Sequence, residues 1–125
     1  DVCRDPFAAM EQAAEMGVDT ILTSGQEGSC REGEALLAEL IKKAPAGMNI
    51  LVGDGVNPEV IRHFLSRMPA RHFHMSGKQV LESEMQWRNE RVNMGLPGIS
   101  EFEIYRTDGN AVRQARDILE ETLAD

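Results

Sequence analysis

The chain has 125 residues, 42% of them hydrophobic and 27% charged, a balance that fits one soluble domain large enough to bury a core. Thirteen basic against 21 acidic residues leave a net charge of −8, which argues against a nucleic-acid backbone and against a membrane held through a basic face. No apolar run approaches the roughly 18 residues that a bilayer crossing needs.

The punctuation of the chain predicts alternating helices and strands. Asp5-Pro6 is a helix start, a capping carboxylate followed by a proline in the first turn, with Phe7, Met10 and Ala14 on one face and Gly17 as the stop. Thr20-Ile21-Leu22-Thr23 reads as a short buried strand. A second helix carries Leu36, Leu37, Leu40, Ile41 and Ala44 as one apolar stripe and is closed by Pro45 and Gly47. Asn49 to Val52 is a second apolar strand, ended by Gly53-Asp54-Gly55. Asn57-Pro58 opens a third helix whose inner face is Val60, Ile61, Phe64, Leu65 and Met68, with His63 beside it and partly exposed. Arg71 to Gly77 is the third strand.

Residues 78–100 have no clean period. Glu101 to Tyr105 alternates like a short strand, and from Asp108 a last helix points Val112, Ala115, Leu119 and Leu123 inward. Apolar strands alternating with amphipathic helices indicate an α/β fold, a parallel sheet covered on both faces, in a single domain over 1–125.

Each strand ends in small polar residues: Thr23-Ser24-Gly25, Gly53-Asp54-Gly55 and Met75-Ser76-Gly77. Ligands of α/β folds sit at the carboxyl ends of parallel strands, and glycine there lets the backbone approach an anion. Gly53, Gly55, Ser76 and Gly77 therefore read as binders of a small anionic molecule, or as glycines that βα turns need in any case. His72, His74 and Ser76 share one strand face, Phe73 and Met75 the other. His74 suits an acid or base at the mouth, and His72 suits a metal or a structural hydrogen bond. Cys3 and Cys30 make no disulfide framework and fit a reducing cytoplasm; their thiolates suit Cu(I). Asp54 offers a carboxylate at a strand end with no visible partner.

The motifs "GVDTILTSG" (17–25), "EG" at Glu32-Gly33 before a leucine-rich helix, "GDGVNPEVIRHF", "FHMSG", "MQWRN" (85–89), "VNMG" (92–95) and "TDG" before the last helix come in an order that resembles the copper homeostasis protein CutC family. The resemblance covers nearly the whole chain. It implies a TIM-type (β/α) barrel of which this chain holds the C-terminal half, three parallel strands with flanking helices. Three such strands cannot close, so a homo-oligomer or association with the other half-barrel is expected to cover their edges. Ser24, Gly25, Gln26, Gly55, Asn57, His74, Ser76 and Arg88 match family motif positions. Cys30 and Asp54 depart from them, standing where alanine and glycine are usual.

Two functions follow. One is cytoplasmic copper handling, with copper as the bound metal and Cys3, Cys30 and His72 as its ligands. The other is an enzyme acting on a small anionic substrate, phosphorylated compounds among the candidates, with His74 as acid or base, Arg88 as charge partner and Ser24, Gly25, Gln26, Gly53, Gly55, Asn57, Ser76 and Gly77 as binders. A barrel-derived interaction protein, active through its oligomeric surface, is a third.

Overall fold

In the computed structural model, residues 1–124 are described. Helix α1 (Pro6–Glu15) begins where the Asp5 carboxylate accepts hydrogen bonds from the Phe7 and Ala8 amides at 3.1 and 3.0 Å. Pro6 fits the first turn, which has no intrahelical use for its missing N–H. Gly17, left-handed at φ 83°, turns the chain into β1 (Thr20–Thr23). There follow α2 (Glu34–Lys43), β2 (Asn49–Val52) and α3 (Pro58–Arg67). Asn57 caps α3 by accepting from the Val60 amide at 2.9 Å.

Strand β3 is only His72–Phe73, much shorter than the expected 71–77. Beyond it, β4 (Lys78–Glu82) and β5 (Glu103–Thr107) form a separate antiparallel pair, and α4 (Gly109–Leu123) packs on α3. The strand expected at 101–105 is thus shifted by two residues. Its partner lies in the stretch without a period, because every residue of β4 and β5 is exposed and no buried face imposes alternation.

The three parallel strands lie in the order β1-β2-β3, with Thr23 level with Val52 and Val52 level with Phe73. Ile21, Ile50, Val52 and Phe73 point to one side. There they meet Met10 of α1, Leu37 and Leu40 of α2, and Phe64 of α3. Phe64 is fully buried and meets Phe73 edge-on, ring centroids 6.3 Å apart.

The opposite sheet face, with Leu22, His72 and His74, is exposed, Leu22 by 55%. The expectation of a sheet covered on both faces is therefore corrected. A sheet whose strands advance in one direction, 1-2-3, with crossovers of one hand puts its helices on one side; covering both sides requires the strand order to reverse. The inward stripe of α4 is also corrected. Ala115 and Ile118 are buried against Ile61, with Leu119 beside them, whereas Val112 and Leu123 are exposed.

Two contacts fix the βα loops. Gly25 and Gly33 meet backbone to backbone: a Cβ on Gly33 would overlap the Ser24 carbonyl oxygen, and one on Gly25 the Gly33 carbonyl. Gly33 starts α2 without a side-chain cap, so its place there reflects this close approach rather than capping. At the same end of α2, Glu34 accepts from His63 Nε2 at 2.9 Å and from Arg67 Nε at 2.8 Å, which ties α2 to α3. The His63 hydrogen bond, then the charges of His63 and Arg67, hold the Glu34 carboxyl below its ordinary range against the opposing effect of burial.

Gly33→Ala is expected to destabilise the chain by about 2 kcal/mol, since a backbone carbonyl must move to admit the methyl group. Chemical denaturation would measure this, and a loss under ~0.5 kcal/mol would show that the loop yields freely. Glu34 has a folded-state pKa below its unfolded one, so its contribution is present above the unfolded value of about 4.3 and lost as pH falls through the lower folded value. Below pH ~4.3, Glu34→Gln should therefore lose less stability than the parent. Parallel acid-denaturation curves would refute the linkage.

Candidate functional site

The level strand ends open into a cleft of about 660 Å³. From β1 it takes Leu22, Thr23 and Ser24. The turn after β2 supplies Gly53, Asp54, Gly55, Val56 and Asn57, and the chain beyond β3 supplies His74, Met75, Ser76 and Lys78. The ladder continues past the strands, Gly53 N–H donating to Thr23 O at 3.0 Å and His74 N–H to Val52 O at 2.8 Å, so the three ends are held side by side. Gly53 is buried under the Leu22 side chain, with His74 Cβ also close to where its own Cβ would be. A side chain here would fill the cleft floor.

Asp54 and Gly55 are both left-handed, at φ 68° and 73°. The Asp54 carbonyl accepts from the Cys30 amide at 3.0 Å, joining the turn after β2 to the loop after β1. His74, Ser76 and Lys78 are exposed to the cleft.

Of the residues expected to bind a small molecule, Ser24, Gly53, Gly55, Asn57, His74 and Ser76 come together here. Asn57 is committed to capping α3. Gly25 and Gln26 do not line the cleft. Gly25 packs on Gly33, and the Gln26 side-chain amide donates to the Cys3 carbonyl at 2.8 Å. Gly77, at φ 58°, sits among Val112, Met75 and Thr107 and turns the chain into β4.

Arg88 does not converge with His74. It pairs with Glu82 at 3.0 Å, donates to the Ser83 carbonyl and lies over the Phe102 ring at 4.9 Å, beside the antiparallel pair. The cation that the cleft does contain is Lys78, which follows the Ser76-Gly77 turn directly. Sequence reasoning missed Lys78 because it was placed in the stretch without a period; its position directly after a strand-end glycine was the available signal. Thr23 was read as a strand end but not as a binder. Asp1 carried no signal at all, and its part depends on contacts more than 20 residues away in sequence.

Cys3, Cys30 and His72 are not brought together. Cys30 is fully buried in the main core, and burial pushes its thiol above the ordinary value, which disfavours the thiolate a soft metal needs. Cys3 is exposed beside Gln26 and lines a separate cavity with Met10, Ala13 and Leu40. His72 lines a different cavity, with Met48, Asn49 and Ala70 at the amino ends of the strands. Among the described residues no three His, Cys, Asp or Glu side chains cluster as metal ligands, so the three residues expected to hold copper do not fit it as a set. No helix among these residues is long and apolar enough to cross a membrane.

The sequence profile of the CutC family matches residues 1–79, the stretch from Asp1 through the end of the mouth. A CutC family protein of Parabacteroides distasonis is 44% identical over 114 residues, which is 90% of this chain and 47% of the relative. One from Bacteroides fragilis is 36% identical over 120 residues, 96% of this chain and 47% of the relative. One from Histophilus somni is 31% identical over 121 residues, 97% of this chain and 49% of the relative. The chain spans about half the length of the curated relatives it matches. By its strand ends as well as by its relatives, the chain belongs to the CutC family.

Proposed function

We propose that this chain forms the ligand-holding part of a (β/α) barrel that serves copper homeostasis in the cytoplasm, and that its chemistry lies at the strand mouth, on a small anionic molecule. The observation that carries this reading is the cleft itself. Three strand ends, two glycine-bearing turns, a histidine and a lysine face one space of about 660 Å³. Lys78 supplies the positive charge and His74 a group able to donate or accept a proton near neutral pH. Gly53 and Gly55 keep the backbone open to the ligand. Phosphorylated and carboxylated compounds both suit this set. The open face of the sheet is covered in this reading by the rest of the barrel or by a second copy.

Copper enters as the family's role. A copper ion on this part of the barrel has one accessible thiol, Cys3, to bind, and Cys30 is withdrawn into the core.

Equilibrium dialysis against a mixture of small phosphates and carboxylates, with mass detection of what is retained, tests the mouth. Lys78→Ala and His74→Ala are each expected to weaken the retained compound about tenfold, the size of one charge-assisted hydrogen bond. Equal retention by the parent and both variants would sink the reading. For copper, Cu(I) titration of the reduced protein against a chromophoric chelator should show Cys3→Ser competing less well than the parent and Cys30→Ser competing equally. An unchanged Cys3→Ser curve would remove thiolate binding from this chain.

A further inference from the structure

The turn after β1 is built to hold an oxyanion, and it already holds one from the chain itself. Gly25 and Gln26 both adopt left-handed conformations, at φ 77° and 62°. The turn they make aims the Ser24 and Gln26 amides at one point, a concave anion site or nest, while the Gly25 amide between them goes to the Thr23 hydroxyl. Gln26 has no glycine's freedom, so its φ carries a real conformational cost that some interaction must offset.

The interaction is the Asp1 carboxylate. Its Oδ2 accepts from the Ser24 amide at 3.1 Å and its Oδ1 from the Gln26 amide at 3.0 Å, and the Thr23 hydroxyl donates to Oδ1 as well. The Thr23 hydroxyl oxygen in turn accepts from the Gly25 amide at 3.0 Å, so the whole set of donors is oriented. The Gln26 side chain fastens the same segment by donating to the Cys3 carbonyl. Thr23, Ser24 and Gly25 are buried, which makes unpaired amides there costly and a charged acceptor effective.

We infer that the Thr23–Gln26 turn is a carboxylate-binding nest whose resident ligand is the Asp1 side chain, and that Asp1 acts through it as a positioning residue for the mouth. It rests on the proposed mouth only for its functional meaning; the nest itself stands on these contacts. Thr23 and Ser24 line the cleft, so the carboxylate that orders them also sets one wall of it. With Asp1 in place the site is closed to outside anions, because a tethered carboxylate competes at high effective concentration. Without it, the same donors accept a free carboxylate.

The test is an amide-resolved NMR titration of the 125-residue chain and its Asp1→Ala variant with sodium acetate, using sodium chloride at equal ionic strength as control. In the variant, the Ser24 and Gln26 amides should shift saturably with acetate and not with chloride, while in the parent they stay still. Inorganic phosphate, the tetrahedral alternative, should act at least a few-fold more weakly; phosphate binding tighter than acetate would overturn the carboxylate assignment. Equal, non-saturating shifts in parent and variant, or none in a folded variant, would overturn the nest.

Should Asp1→Ala fail to fold, Asp1→Asn keeps the side-chain size and removes the charge. Hydrogen exchange at Ser24 and Gln26 should then quicken about tenfold and slow again with acetate. Unchanged exchange at both amides would overturn the inference. These signals lie on the turn after β1, whereas the His74→Ala and Lys78→Ala effects lie on the other wall, so the nest and the mouth fail separately.

Discussion

The parallel register of the three strands is the constraint on which the rest depends. Thr23, Val52 and Phe73 lie level, so the residues that follow each of them emerge at one height and along one edge. A shift of a single residue in either pairing would turn Leu22 or His74 into the helix-covered core and carry Val52 or Phe73 out of it. The register is held from the core side, where Ile21, Ile50, Val52 and Phe73 must all meet Met10, Leu37, Leu40 and Phe64. The mouth is a by-product of that packing. Nothing in the cleft has to be strong for the cleft to exist.

The same monotonic strand order that levels the ends also leaves half the sheet bare. Helices α1, α2 and α3 share one side, and the other presents Leu22 and the two histidines to solvent. Leu22 is the residue that ties the two facts together. It is an apolar side chain on the open face, and its terminal methyl lies over Gly53 where a Cβ would otherwise stand. In a closed barrel this face is an interior filled by layers of such side chains. The three parallel strands of this sheet do not close one.

What could be read from the sequence divides along burial. The caps at Asp5 and Asn57, the first two strands and the stripes of α2 and α3 were legible, because each rests on a local signal or on a face that must be apolar. The failures share a physical cause. β4 and β5 are exposed along their whole length, so neither shows alternation. The last helix was read with Val112 and Leu123 inward because they fit a period; the short patch on Ile61 needs only Ala115, Ile118 and Leu119. In the site, strand-end residues were legible, and Arg88 was misplaced because an arginine within a family motif says nothing about the local carboxylate that claims it. Asp1 was invisible for a related reason: its partners are set by the fold.

In an acidic chain with a net charge of −8, the proposed anion site needs its positive charge supplied locally. Two carboxylates, Asp1 and Asp54, line the same cleft as Lys78 and would be expected to repel an incoming anion. They do so unequally. The Asp1 carboxylate accepts from two backbone amides and a hydroxyl, whose dipoles oppose part of its field across the cleft. Asp1 and Asp54 are both exposed, and water screens each of these surface charges. Lys78 is left as the cation facing the cleft, with the Tyr105 ring 5.4 Å from its ammonium group. The sign of the mouth is thus set less by how many charges surround it than by which of them are already answered.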